Sequence, residues 1–273
     1  MCESSPEPAN GLQWFGKELE AALLHAGKSQ SELSEATGYK QPYVSKIKHG
    51  HAMPSEHFAV SCDTYFDTSG SFARLRRRIS RHGHPEWFVP YLELEAQAVA
   101  IRDFSSYLVM GPLQTWAYAE ALYRAANPRD SDDTIREKIT ARMSRREVLE
   151  RPNPPLLWVV LDESCLHRVV GGRAAMHEQM EHLLAMAQTP DITLQILPYD
   201  SGAPAAAEAY TLLTFDGPDQ SPVLYAEVQG VGHVTDSAST VVTGTDRYER
   251  LCADALSPKK TLRVLREAIK EFA

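Results

Sequence analysis

Residues 29–50 read SQSELSEATGYKQPYVSKIKHG, two short helical patterns around a glycine. Ser29 is an N-cap type and Glu32 follows at the spacing of a capping box. Leu33 and Ala36 supply the buried side of the first helix. Gly38 stands where that helix must end and the chain must turn. In the second helix, Val44 and Ile47 recur three apart on an inner face. Gln41, Tyr43, Ser45, Lys46 and Lys48 fall mainly on other faces, and Gly50 closes the segment. These outward types suit double-stranded DNA: an amide for adenine, hydroxyls for phosphate, ammonium groups for phosphate or guanine. The competing reading is an ordinary helical hairpin with a solvated polar face.

The framework Gln30, Ala36, Gly38, Gln41, Val44, Ser45, Ile47, Gly50 is more specific than such a hairpin requires. It closely resembles the phage-repressor-type, or Xre-family, helix-turn-helix. The resemblance implies that Gln30 anchors on a phosphate and that Gln41, Tyr43 and Lys46 approach base edges or backbone. Two positions depart from the pattern. Lys40 stands where such helices often carry a Ser or Thr cap, and it cannot accept the orphan amide bond. Pro42 falls in the first turn, where its missing N–H loses little.

The chain has 273 residues, enough for two domains with proper cores. Its 43% hydrophobic and 23% charged composition is that of an ordinary globular protein. It shows no signal-peptide pattern and no apolar run near the roughly 20 residues of a membrane span. Cys2, Cys62, Cys165 and Cys252 are scattered without a CxxC pair, which suits a reducing cytoplasm. The net charge of −8 at first opposes a nucleic-acid partner, but it is unevenly spread. Residues 1–85 balance at +1 and the remainder at −9. Arg74, Arg76, Arg77, Arg78 and Arg81 form a run with no acid among them. Three readings stand open for that run: a solvated helix face, a phosphate-contacting arm, or a salt-bridge seam against the acidic remainder.

A Ser-, Pro- and Glu-rich tail over 1–11 precedes an amphipathic helix over 12–26, with Phe15, Leu19, Leu23 and Ala26 at helical spacing and Trp14 beside them. Pro54 and Ser55 open a helix to about Tyr65, with Phe58, Ala59 and Cys62 inward, and the basic helix follows. The stretch RHGHP, 81–85, reads as the linker that closes an all-α domain over 12–85.

Residues 86–151 read as helical apart from a short extended piece at Tyr107–Met110. One of these helices runs from Ser131 through Arg151, with Ile135, Ile139, Met143 and Val148 inward and Arg142, Arg145, Arg146 and Glu147 outward. From Pro155 the period changes. The runs 156–162, 192–198, 209–215 and 222–228 read as strands, and Val231–Thr235 as a further short one. Helices are expected over 174–188, from about Thr245 to Ala255, and from Pro258 to the end. The second domain, 86–273, is therefore expected to be α+β with a mostly antiparallel sheet.

Other chemistry finds little support. His82-x-His84 lacks further metal ligands, and His177 and His182 fall on different helix faces. Asp162 and Glu163 point oppositely in extended chain, so an N-cap role for Asp162 or Ser164 fits better than an acid–base pair. Ser201-Gly202 lacks a nucleophile elbow, and Gly171-Gly172 lacks a dinucleotide or P-loop pattern. Trp87, Tyr91, Trp116 and Tyr118 read as core sooner than as a ligand pocket. Neither an enzyme nor a cofactor or metal is expected.

The segments 87–115, 141–151 (ARMSRREVLER), 154–166 (PPLLWVVLDESCL) and 192–203 (ITLQILPYDSGA), with the Gly-Gly before a helix, resemble the WhiJ-like actinobacterial Xre regulators. This resemblance covers about residues 12 to 270. It implies a transcriptional regulator, often encoded beside a small partner protein in an antitoxin-like arrangement. Relatives read around a Tyr-Leu-Glu at the region matching Gln229–Asp236; this chain reads QGVGHVTD there, so no site is carried over to that loop. The expectation is a cytoplasmic, sequence-specific DNA-binding homodimer. Gln30, Lys40, Gln41, Tyr43, Ser45, Lys46, Lys48, Arg74, Arg76 and Arg77 are its candidate DNA contacts. Its second domain would receive a small partner protein or a small-molecule effector. An antitoxin-like interaction module with autoregulatory DNA binding is the alternative.

Overall fold

The computed structural model describes residues 11–81, 84–217, 220–228 and 231–273. Outside them lie the expected tail up to Asn10, Cys2 within it, His82 and Gly83 of the expected linker, and Gln229 and Gly230 of the divergent loop. The chain divides into two compact units. One takes residues up to His84 together with Arg129–Ser144; the other takes Pro85–Pro128 and Arg145–Ala273.

The first unit begins with five helices: α1 (Gly11–Ala26), α2 (Gln30–Thr37), α3 (Gln41–Lys48), α4 (Glu56–Tyr65) and α5 (Ser71–Arg81). Phe15, Leu19 and Leu23 of α1 meet Leu33, Val44, Ile47, Phe58, Ala59, Cys62 and Phe72 in one core. The expected inward faces of α3 and α4 hold, but Ala36 is exposed and Ser34 takes the buried place beside Leu33. Gly16 allows α1 and α3 to cross closely, since a Cβ there would lie 2.2 Å from the Lys48 carbonyl oxygen. Asp63 ties α4 to α5. Its buried carboxylate accepts the Phe72 and Ala73 amides, both at 2.9 Å, and so caps the basic helix from outside.

The second unit is built on α6 (Val89–Glu95), β1 (Ala100–Ser105), α7 (Trp116–Ala126), α9 (Glu147–Glu150), β2 (Leu156–Asp162), α10 (Ser164–His167), α11 (Arg173–Met186), β3 (Ile192–Leu197), β4 (Tyr210–Thr214), β5 (Val223–Val228), β6 (Val231–Thr235), α12 (Ala238–Asp254) and α13 (Pro258–Phe272). Between α7 and α9 the chain makes α8 (Asp132–Ser144), which packs with α5 as part of the first unit. The single helix expected from Ser131 to Arg151 is thus two, broken at Arg145 and Arg146.

The sheet corrects the expected fold. Its order is β3-β2-β1-β4-β5-β6; β1, β2 and β3 run parallel, and β4 to β6 add antiparallel beside β1. It is a mixed sheet. The strand β1 lies in a stretch read as helical, because Arg102 and Asp103 interrupt its apolar pattern. Helical connections carry β1 to β2 and β2 to β3, which lets successive strands run the same way. The four strands read from Pro155 onward, and the short one at Val231–Thr235, stand where they were expected. The helix expected from Thr245 begins seven residues earlier, at Ala238.

Alternation along the strands sends residues to two cores. Ile101, Leu157, Val159, Leu194, Ile196 and Leu213 join Met176, Met180 and Leu183 of α11 and Leu265 of α13. On the other face Phe104, Val160, Leu197 and Leu212 meet Val241, Tyr248 and Leu251 of α12.

Two polar clusters are buried in the first of these layers. Arg145, expected outward, makes a two-pronged pair with Glu95, at 3.0 Å from Nε and 2.7 Å from Nη2, under the rings of Phe88 and Tyr91. Burial alone would push this guanidinium down, but the Glu95 carboxylate outweighs it and holds it above its ordinary range. Asp103 accepts the Ser105 and Thr211 hydroxyls, at 2.6 and 2.8 Å. Burial raises its carboxyl to about 6 in spite of those bonds.

Candidate nucleic-acid interface

The geometry of α2 and α3 begins with their ends. The Ser29 hydroxyl accepts the Glu32 amide and the Glu32 carboxylate accepts the Ser29 amide, so the capping box is formed. The backbone bond from Ser29, with those from its hydroxyl and from Lys28, holds the Glu32 carboxyl down at about 2. Gly38 ends α2 in the left-handed region, at φ 75°, and its N–H returns to the Ser34 carbonyl. The Lys40 side chain makes no cap bond at the start of α3. Instead the Gln30 side-chain amide donates to the Gln41 carbonyl at 3.1 Å. That bond sets the first turns of α2 and α3 side by side, and Gln30 keeps a second N–H beyond it.

Around α3 the side chains sort into two stripes. Val44 and Ile47 are buried, with Tyr43 and Lys48 flanking them. Gln41, Pro42, Lys46 and His49 are exposed and Ser45 is half-buried, at positions that share the opposite side of a helix. Tyr43 is turned inward: its ring stacks on Tyr39 at 4.9 Å and meets Phe58 edge-on, and its hydroxyl accepts the Ser55 amide at 2.9 Å. Lys48 pairs with Glu20 of α1 at 3.1 Å. Tyr43 and Lys48 therefore hold α3 in place, while Gln41, Ser45 and Lys46 are presented on its outer stripe. His49, which extends that stripe, was not among the expected contacts. Its imidazole Nδ1 lies 2.8 Å from the Ser45 carbonyl. Its place in sequence, four residues after Ser45, was the signal for it.

The arginine run also sorts by helix face. Arg76 is half-buried and its Nε donates to the Pro54 carbonyl at 3.3 Å. Arg74 bonds the Ser69 carbonyl and the Ser71 hydroxyl at its own helix start. Arg77 and Arg78 are exposed.

The other features weighed in the sequence resolve as structure. The N-cap of α10 is Glu163 and not Asp162 or Ser164, and it makes no side-chain cap bond; Asp162, one residue earlier, accepts the Ser164 amide at 2.9 Å. Cys62 and Cys165 are buried and Cys252 is half-buried, all as free thiols. Burial pushes Cys62 up to about 12 and Cys252 up to about 11, far from a reactive thiolate. Tyr91 and Tyr118 are core, whereas Trp116 is exposed. Among the described residues no group of three or more His, Cys, Asp or Glu side chains could hold a metal ion. No helix among them is long and apolar enough to cross a membrane.

Residues 88–267 match the family model described as a domain of unknown function (DUF5753). The chain belongs to the DUF5753 family. Residues 19–72 of this DUF5753 protein match a helix-turn-helix model, which spans the second half of α1 through the start of α5. The protein is thus a DNA-binding regulator of the Xre helix-turn-helix type, with the DUF5753 domain forming most of the remainder. No curated protein and no solved structure matches the chain.

Proposed function

We propose that the chain is a sequence-specific transcriptional regulator whose α3 reads the major groove of double-stranded DNA. The observation that carries this reading is the outer stripe of α3, where Gln41, Ser45 and Lys46 stand free of the core beside the Gln30 amide. An exposed Gln matches the donor–acceptor pattern of adenine, and a Lys matches the acceptors of guanine or a phosphate. Gln30 and Lys40 sit at the first turns of their helices, where amides and side chains meet phosphates. One such helix touches few bases, so a homodimer on a two-fold site is the working form, with half-sites about 34–36 Å apart. The DUF5753 domain, carrying most of the negative charge, receives a signal instead of nucleic acid. Its input is a small partner protein, as in the WhiJ-like and antitoxin-like arrangement, or a small-molecule effector. The protein acts in the cytoplasm and is not an enzyme.

Selection of bound sequences from random double-stranded DNA by the full chain tests this reading. The expected product is an inverted repeat with half-sites one helical turn, or a multiple of it, apart. Enrichment of no sequence over the starting pool would overturn it.

A further inference from the structure

On one face of the sheet α12 packs over Phe104, Val160, Leu197 and Leu212, and beside that helix lies a cleft of about 360 Å³. It is within the size range of small-molecule sites. Small side chains make it. Gly244 lets α12 lie close on β5, where a Cβ would stand 2.4 Å from Leu224 Cδ1. Ala206, Ala207, Ala209 and Ala226 then leave the space beside it open, over a floor of Leu224 and Ala226.

The walls carry opposite charges. On α12, Ser239, Thr243 and Arg247 recur at four-residue spacing, so they line one stripe facing the cleft, with Thr240 beside them. Glu208 stands on the segment before β4. Neither Glu208 nor Arg247 is ion-paired among the described residues. Tyr210, the one aromatic residue lining the cleft among the described residues, is buried with its hydroxyl spent on the Gly244 carbonyl at 2.9 Å.

We infer that this cleft binds a small zwitterion of the amino-acid or dipeptide class. The ligand carboxylate meets Arg247 and the Thr240 hydroxyl, the ligand ammonium meets Glu208, and the apolar side chain lies on Leu224 and Ala226. Thr243, whose hydroxyl donates to the Ser239 carbonyl at 2.8 Å, shapes the wall. The inference rests on the reading of the DUF5753 domain as the part that receives a signal.

Calorimetric titration of the full chain tests it, with alanyl-leucine as the first probe and a panel of dipeptides and free amino acids covering the apolar side chains. At least one zwitterion in the panel should bind at millimolar concentration or better. Its N-acetyl and C-amide derivatives should each bind about tenfold weaker or worse, the scale of a lost charge-assisted bond. Arg247→Ala should erase the penalty for amidation, Glu208→Gln the penalty for acetylation, and Thr243→Trp should fill the cleft and abolish binding. Unfolding temperatures of the three variants establish that they fold. No binding across the panel, or blocked derivatives that bind as well as the parent, overturns the site. DNA affinity with and without the bound zwitterion separates the two readings. Binding with the predicted dependence but unchanged DNA affinity leaves the site standing and removes the signal-receiving role. Absent binding leaves that role to a partner protein.

Discussion

Tyr43 shows how a residue of a DNA-contacting type can be turned toward the core. The sequence defines the inner face of α3 by Val44 and Ile47, and Tyr43 lies on the flank of that face, where either side is open to it. What decides is Tyr39 and Ser55, one to stack on it and one to donate to its hydroxyl. Tyr43→Phe should therefore destabilise the folded chain by about 1 kcal/mol, because the Ser55 amide loses its acceptor. Affinity for the selected site should be unchanged; a loss of affinity with stability intact would return Tyr43 to the DNA. Arg145 turns inward for a related reason. Arginine is almost never buried unless paired, and its partner Glu95 lies 50 residues away. The capping box of Ser29 and Glu32, by contrast, was legible in full, because both members lie within one helical turn and need no tertiary partner.

At the scale of elements, α5 and β1 carry the consequences. The basic helix is held at its start by Asp63 and along its length by Arg76, which leaves Arg77 and Arg78 exposed. Replacing Arg77 and Arg78 with Ala should weaken all DNA sequences alike. The log–log salt dependence should lose about 0.9 per arginine that contacts a phosphate. An unchanged slope would leave them a solvated face. The strand β1 escaped the sequence because its polar residues answer to neighbours far along the chain. Asp103 stands opposite Thr211 of β4 in the register and bonds its hydroxyl. The carboxyl moves on folding from its ordinary 3.8 to about 6, with burial as the main cause, so the folded chain holds this proton more tightly than the unfolded one. Its stabilisation is complete below 3.8 and is lost as pH rises through about 6. Asp103→Asn, free of that ionisation and able to keep both hydroxyl contacts, should gain on the parent by up to about 3 kcal/mol between about pH 4 and pH 8. Denaturant unfolding across that range measures it; a constant difference would show that Asp103 stays charged when buried. The sheet order was hidden with β1, since the parallel half depends on this strand standing beside β2.

Across the whole molecule, the division of labour follows the charge and the two cores. The helical unit has its own core, and the mixed-sheet unit has two layers of its own. The chain enters the first unit a second time through α8, an excursion that no composition shift announces. The proposed reading of DNA by the outer stripe of α3 is open to measurement at equilibrium. Fluorescence anisotropy gives the affinity of the full chain and of a Gln41→Ala/Lys46→Ala variant for the selected inverted repeat and for a scrambled duplex at one salt concentration. Both positions are exposed, so the variant should unfold with the parent. Each substitution should cost about 1–3 kcal/mol on the selected site and narrow its margin over the scrambled duplex. A folded double variant that binds the selected site as tightly as the parent, with the same margin, would rule out α3 as the reading helix.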